Sequence, residues 1–244
     1  MLTESTHGAR RALVTVGLIM AVLGGAAACG APAEQRRPVD STAKVQAAPV
    51  IPPPQSPAVA SPARFTVRVE TSKGPFVVEV TRDLAPHSAD RFYELVTNGY
   101  FADVRFFRLV PGFVVQFGVH GDPAVNAVWD TATIADDVMR TSNRKGTLAF
   151  AANGPHSRST QLFISTGENG RKLDGQRLFT PFGRVVQGMD VVEKLNAEYG
   201  EEPNAIRAVR QGNRYLTRWF PALDYIVRAT VLSDSSASTI SPVS

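Results

Sequence analysis

Residues 107–116 read FRLVPGFVVQ. β-Branched and aromatic residues dominate both halves of this stretch, and a proline–glycine pair separates them, so the pattern predicts a strand, a turn and a second strand. Because side chains alternate across a strand, Phe106, Arg108 and Val110 are expected on one face and the intervening residues on the other. An arginine among apolar neighbours is costly to bury without a partner. Arg108 is therefore a candidate functional residue, with a structural salt bridge as the alternative.

Similar short runs recur on both sides of this stretch. Each is rich in aromatic and β-branched residues and is bounded by Gly, Pro or Asn, which is typical of strands. Helical spacing appears twice, at 86–98 and at 189–198. Eight strands with two helices predict a mainly β fold: a closed barrel with helices over its open ends, since closure removes exposed strand edges. The predicted strands are 65–71, 74–82, 105–110, 112–119, 146–152, 160–166, 180–186 and 224–232.

Composition places the folded domain at 64–232. The chain has 244 residues, and all its aromatic residues lie between Phe65 and Tyr225. A net charge of +4 without a basic stripe argues against a dedicated nucleic-acid binder. A single cysteine excludes an intramolecular disulfide, and four scattered histidines argue against structural zinc. The Ser-rich tail 233–244 is expected to be disordered.

The first 63 residues predict export. Two arginines precede an apolar run at 12–28, which is shorter than the roughly 20 residues of a spanning helix. The run ends in AAACG at 26–30, which resembles the lipobox of bacterial lipoproteins and also suits ordinary signal cleavage. We expect a signal peptide at 1–28 and lipidation of Cys29. Residues 29–63 are rich in Pro and Ala and predict a disordered tether that holds the domain off a bacterial membrane.

Common catalytic motifs are absent from the chain. It contains no G-x-S-x-G, no H-E-x-x-H and no Walker-type glycine loop. The carboxylate pair Asp136-Asp137 is expected to be solvated or to form a local turn. His156 is expected to be exposed, and His87 to lie at the surface or cap a helix. We expect neither a metal nor a cofactor.

A series of motifs spans the domain in order. FRLVPGFVVQ at 107–116 is followed by GTLAFA at 146–151, NGP at 153–155, QLFI at 161–164, LDG at 173–175 and PFGRV at 181–185. This series resembles the cyclophilin family of peptidyl-prolyl cis-trans isomerases. The resemblance covers nearly all of 64–231 and implies an eight-stranded antiparallel barrel capped by two helices. It also implies a monomeric enzyme that accelerates rotation about X-Pro bonds in proline-containing polypeptides.

The resemblance assigns roles to individual residues. Arg108 is the implied catalytic arginine, which donates hydrogen bonds to the prolyl nitrogen and the neighbouring carbonyl. Gln116 is implied to orient Arg108 and to touch the substrate backbone, and Ala152 to bind the substrate chain through its own backbone. From residue type alone, Phe113, Phe163 and Leu173 are equally compatible with plain core. The implied substrate-binding residues are Phe113, Val114, Phe150, Ala152, Phe163, Leu173 and Phe179.

The chain departs from the family in several places. Cyclophilins that bind cyclosporin well carry tryptophan where this chain has Lys172, so we expect weak cyclosporin binding. Phe179 is reached through a short insertion, and the stretch 117–137 is unlike the family's glycine-rich run. Residues 199–223 predict an additional amphipathic helix before the last strand, which either packs on the barrel or forms a docking surface. The alternative to catalysis is a chaperone that holds proline segments without turnover.

Overall fold

A computed structural model of the chain describes residues 50–55 and 59–234. The predicted signal peptide 1–28, the lipidation site Cys29, most of the tether and the tail 235–244 lie outside these ranges. The predicted functional residues of the domain all lie within them.

The eight predicted strands are all present, and every pair in the sheet is antiparallel. They form one curled sheet in the order β3-β4-β6-β5-β7-β2-β1-β8. Most are shorter than the apolar runs that predicted them, because the ends of those runs continue as irregular chain. The strands are β1 (Arg64–Thr71), β2 (Gly74–Thr81), β3 (Arg108–Val110), β4 (Val114–Phe117), β5 (Thr147–Phe150), β6 (Leu162–Ser165), β7 (Pro181–Gln187) and β8 (Ile226–Asp234).

The expectation of a closed barrel is wrong. β3 and β8 are the two edges of the sheet, and within the described residues only an isolated bridge between Arg105 and Tyr225 and a few neighbouring backbone hydrogen bonds connect the two sides. β3 is only three residues long. The outward backbone N–H of Leu109 in β3 donates to the carbonyl of Gly200, at 3.0 Å, instead of to β8. The sheet is therefore an open half-barrel whose short edge is covered by a non-strand segment.

Six α-helices surround the described part of the sheet. The first predicted helix is confirmed, whereas the second is only five residues long. The stretch after Gln116 contains a helix that sequence patterning did not predict; it begins where the Asp122 side chain accepts a hydrogen bond from Ala124 N, with Pro123 in the first turn. The helices are α1 (Pro86–Thr97), α2 (Pro123–Trp129), α3 (Gly170–Leu173), α4 (Met189–Glu193), α5 (Ala205–Gln211) and α6 (Asn213–Trp219).

The main hydrophobic core lies between the concave face of the sheet and α1. Both Phe106 and Leu109 point into it, so the predicted alternation from Phe106 onwards is wrong. The reason is that regular strand geometry begins only at Arg108. Phe107 joins a second cluster instead, in which it packs with Tyr215 and Leu216 of α6.

The 199–223 segment thus contains two short helices, α5 and α6, that pack on the domain. Ala208 of α5 and Leu216 of α6 are buried, which agrees with the packing alternative. The side chains of Ile206 and Trp219 remain exposed. The guanidinium carbons of Arg207 and Arg218 lie 5.8 and 5.7 Å from the centre of the Trp219 ring.

The carboxylate pair Asp136-Asp137 corrects another expectation. Asp137 is buried and accepts hydrogen bonds from the backbone N–H groups of His87 and Ser88, at 2.9 and 3.0 Å, at the start of α1. The fully buried guanidinium of Arg158 lies 3.3 Å from it. The pair is not a solvated turn: Asp137 caps helix α1 through Ser88, which lies 49 residues earlier in the chain. His156 and His87 are exposed, as expected.

Part of the segment predicted as tether lies against the domain. Ile51 packs on the main core, and the carbonyl of Pro52 accepts a hydrogen bond from the indole N–H of Trp129 at 3.1 Å. The backbone N–H of Gln55 donates to Glu94 at 2.5 Å. Residues 51–55 therefore extend the folded part of the chain beyond the boundary that aromatic content placed at 64.

Candidate active site

The β3–β4 hairpin positions the two predicted catalytic residues. Arg108 and Gln116 are direct cross-strand partners, and Nη1 of Arg108 donates to Oε1 of Gln116 at 3.3 Å. The connecting turn carries Gly112 at φ +70°, a conformation that favours glycine. A Cβ on Gly167 would lie 2.1 Å from the carbonyl oxygen of Gly112, so only glycine allows the neighbouring loop this close.

Gln116 extends this contact to a third residue. Its Nε2 donates to Oε1 of Gln161 at 3.1 Å, and Phe163 of β6 is its cross-strand partner. Gln161 was not among the predicted site residues, although it is the first residue of the QLFI motif. Its position two residues before Phe163 places it on the same face, and this alternation could have identified it.

An apolar cluster separate from the main core lies beside Arg108. It contains four of the predicted substrate-binding residues, Phe113, Val114, Phe163 and Leu173, and Phe179 packs against it. The rings of Phe163 and Phe179 meet edge to face, with centroids 5.8 Å apart. The guanidinium carbon of Arg108 lies 5.6 Å from the centre of the Phe113 ring. We call this set the pocket cluster: Phe113, Val114, Ala149, Ala151, Phe163, Leu173 and Phe179.

A buried asparagine holds two walls of the pocket cluster together. Asn143 is fully buried, and its Nδ2 donates both to Oδ1 of Asp174 at 2.9 Å and to the carbonyl of Phe179 at 2.8 Å. Burial acts to raise the pKa of Asp174, but hydrogen bonds from Ser142 and Asn143 outweigh it and hold that pKa below its ordinary value. The aspartate of the LDG motif therefore anchors Leu173, its neighbour, as a charged acceptor.

Ala152 and Phe150, two of the predicted substrate-binding residues, lie in different surroundings. Within residues 59–234 the backbone N–H and carbonyl of Ala152 make no hydrogen bond, whereas the N–H of Ala151 donates to the Gln161 carbonyl. Ala152 is thus free to pair with an extended peptide. Phe150 is fully buried in the main core and stacks on Phe182 with ring centroids 5.5 Å apart. It cannot touch a substrate, because strand alternation points Ala149 and Ala151, not Phe150, towards the pocket cluster.

A cavity of about 550 Å³ adjoins the free backbone of Ala152. Gln116 and Gln161 line one side, and Ile206 and Arg210 of α5 line the other. The segment 199–223 therefore contributes a wall of the cavity beside Ala152.

Cations surround the rim of the pocket cluster. The ammonium of Lys172 lies 5.0 Å from the centre of the Phe113 ring, on which Arg108 also lies. The only carboxylate that contacts Arg108 in the described chain is Glu201, whose Oε1 accepts from Nε at 2.8 Å and from Nη2 at 2.5 Å. Sequence reasoning gave no signal for this contact.

In the described residues no group of three or more His, Cys, Asp or Glu side chains is arranged to hold a metal ion. The same part of the chain has no helix that is both long and apolar enough to cross a membrane.

The sequence of this chain is similar to proteins of one known family. The family model for "Cyclophilin type peptidyl-prolyl cis-trans isomerase/CLD" matches residues 66–211. Peptidyl-prolyl cis-trans isomerase CYP18-2 of Arabidopsis thaliana is 34% identical over 137 residues, covering 54% of this chain and 80% of the relative. Peptidyl-prolyl cis-trans isomerase cypE of Dictyostelium discoideum is 32% identical over 151 residues, covering 59% of this chain and 93% of the relative.

Solved structures agree with the fold. A cyclophilin type peptidyl-prolyl cis-trans isomerase of Cryptosporidium parvum superposes with a TM-score of 0.53 at 19% identity, covering 70% of this chain and 98% of that one. The same Cryptosporidium protein in the presence of the dipeptide Ala-Pro gives a TM-score of 0.52 at 18% identity, covering 69% of this chain and 99% of that one. The family match and the curated relatives show that this chain belongs to the cyclophilin-type peptidyl-prolyl cis-trans isomerases.

Proposed function

We propose that the chain accelerates rotation about X-Pro bonds in exported polypeptides, with Arg108 as the catalytic residue above the pocket cluster. The observation that carries this proposal is the position of the Arg108 guanidinium, held by Gln116 at the rim of an apolar cluster. A proline ring is apolar and fits against Phe163 and Leu173. The amide on its N-terminal side then faces the N–H groups of Arg108.

The chemistry needs no covalent intermediate. Rotation about an X-Pro bond takes tens to hundreds of seconds against a barrier of about 20 kcal/mol. In the transition state the amide is twisted and loses its resonance, so its nitrogen carries a lone pair that can accept a hydrogen bond. Arg108 donates to that nitrogen and to the neighbouring carbonyl, and these contacts are stronger in the twisted state than in either planar one. Gln116 fixes the guanidinium, so little reorganisation accompanies the twist.

The flanking substrate chain is held by backbone pairing. In this proposal Ala152 donates its free N–H to the peptide and accepts from it, as an edge strand does. The cavity beside it receives the side chain of a neighbouring substrate residue. Lys172 leaves the pocket rim cationic where strong cyclosporin binders carry a flat aromatic ring, so we propose weak binding of cyclosporin and a monomeric enzyme.

The site of action is proposed from residues 1–29. We propose that the chain is exported and attached to a bacterial membrane by lipid on Cys29, where it acts on proline segments of envelope or secreted proteins during folding. Metabolic labelling with radioactive palmitate tests this in the full chain. Label in the wild type and none in Cys29→Ala supports the anchor; equal labelling of both overturns it.

The catalytic proposal is tested by exchange NMR on a short X-Pro peptide with the full chain. Arg108→Ala should abolish most of the acceleration, whereas Arg184→Ala, an exposed arginine on β7 away from the pocket cluster, should leave it unchanged. Acceleration that survives in Arg108→Ala would remove Arg108 from the mechanism. Peptide binding without acceleration in the wild type would instead favour a chaperone that holds proline segments.

A further inference from the structure

We propose that Glu201, from the segment between α4 and α5, is a positioning residue for Arg108, so that this segment is part of the active site. The inference rests on the catalytic role proposed for Arg108. Its starting point is the contact of one carboxylate oxygen of Glu201 with two nitrogens of the guanidinium, Nε at 2.8 Å and Nη2 at 2.5 Å. These two residues are 93 positions apart in the chain.

The backbone places Glu201 next to Arg108. A tight turn forms at 197–202, in which Gly200 N donates to Ala197 O at 3.1 Å and Glu202 N to Tyr199 O at 2.9 Å. The carbonyl of Gly200 then accepts from Leu109 N on the edge of β3. Glu201 follows Gly200 and Arg108 precedes Leu109, so this backbone bond brings the two side chains together.

The distribution of N–H groups favours positioning over blocking. A guanidinium has five N–H groups. Glu201 engages one on Nε and one on Nη2, and Gln116 engages one on Nη1. One N–H on each terminal nitrogen is left for a twisted amide. A blocking carboxylate would occupy the terminal edge that the substrate needs, whereas Glu201 occupies the side edge.

The contact has little to do with folding stability. The side chains of Arg108 and Glu201 are 29% and 61% exposed, and ion pairs with this exposure contribute little to stability. What the pair does supply is order: a free arginine side chain samples many rotamers, and Glu201, Gln116 and the Phe113 ring together restrict it to one. Preorganised donors cost less to align in the transition state.

The test compares Glu201→Ala and Glu201→Gln with Glu202→Ala in the full chain. Glu202 is the exposed neighbouring glutamate, and within the described residues its side chain makes no hydrogen bond or ion pair. We expect Glu201→Ala to lower kcat about two- to fivefold with KM nearly unchanged, the range for one partly exposed charged contact. Glu201→Gln keeps the oxygen acceptor and should recover part of the loss, and Glu202→Ala should match the wild type.

A second readout does not depend on turnover. The Arg108 Nε–H resonance should be protected from solvent exchange in the wild type and lose that protection in Glu201→Ala. Unchanged kcat together with unchanged exchange would overturn the proposal, and so would a lower KM in Glu201→Ala, because that result identifies Glu201 as a competitor of the substrate. If the wild type showed no catalysis while the Nε–H protection still depended on Glu201, the proposed catalytic role of Arg108 would be overturned, and the positioning of Arg108 by Glu201 would stand.

Discussion

Truncating Asn143 to alanine should weaken the pocket cluster and the fold together. The side chain is fully buried, and its Nδ2 joins Asp174 to the carbonyl of Phe179. Asn143→Ala removes both hydrogen bonds and leaves the Phe179 carbonyl without its donor, whereas Asp174 keeps Ser142 Oγ and the residue-143 backbone N–H. Leaving one buried acceptor unpaired costs about 1–3 kcal/mol. Oδ1 of Asn143 has no hydrogen-bond partner among residues 50–55 and 59–234, so its removal offsets part of that cost.

We therefore expect Asn143→Ala to lower the free energy of unfolding by about 2 kcal/mol. Urea denaturation measures this change. Because Leu173 and Phe179 lose their common anchor, the dissociation constant of an X-Pro peptide, titrated by NMR, should rise severalfold. Asn98→Ala at the end of α1 is the matched control, since the Asn98 side chain makes no hydrogen bond within the described chain. Lost stability with an unchanged dissociation constant would refute the link between Asn143 and the pocket cluster.

Three further variants probe the supports of the site. Arg158→Met removes the buried cationic partner of Asp137 and should lower the free energy of unfolding by about 3–5 kcal/mol in urea denaturation. Arg184→Met, at an exposed ion pair, should lower it by less than about 1 kcal/mol. A small loss in Arg158→Met would show that Asp137 is held sufficiently by the backbone N–H groups of α1. Gly167→Ala places a Cβ 2.1 Å from the Gly112 carbonyl oxygen and should lower the free energy of unfolding by about 1–3 kcal/mol. The Cβ of Gly175→Ala meets no atom within 4 Å, so this variant should be as stable as the wild type. Equal melting temperatures of the two variants would contradict the clash. The pKa of Asp174 is lower in the folded protein than in the unfolded chain, where it is near 3.8, so the charged carboxylate contributes stability above that pH, and this stability is lost as the pH falls through the lower folded value. In urea titrations, the free energy of unfolding of Asp174→Asn should therefore decline less steeply below about pH 4 than that of the wild type.

The parts of the site that sequence predicted are those determined within one hairpin. The Pro111-Gly112 turn sets the register that opposes Arg108 and Gln116, and alternation then assigns each side chain to a face. The same alternation excludes Phe150 from the pocket cluster, because the adjacent residues Ala149 and Ala151 face that cluster and Phe150 faces the opposite side of the sheet. The motif resemblance named Phe150 where the two-residue period of the strand would have rejected it.

The parts that sequence missed depend on contacts between distant segments. Asp137 is a polar residue in a polar stretch, and only the fold brings it to the first turn of α1 beside Arg158. The helix α2 was missed for another reason: its seven residues begin at the proline of a Gly-Asp-Pro sequence that also suits a simple turn. Ile51 and Pro52 lie in a proline-rich segment whose composition suggests a tether, but composition does not reveal that Trp129 binds its backbone.

The open edge of the sheet and the contact on Arg108 are two aspects of one arrangement. In a closed barrel the outward N–H of Leu109 would pair with β8. The segment after α4, which contains Gly200, would then find no free backbone group on β3 to bind. Because β3 is short and remains an edge, Gly200 takes that N–H and brings Glu201 to the guanidinium. An edge strand next to the proposed catalytic side chain can thus bind a neighbouring segment without disturbing the hairpin that aligns Arg108 with Gln116. Variation in such a segment would alter how Arg108 is held while the pocket cluster stays the same.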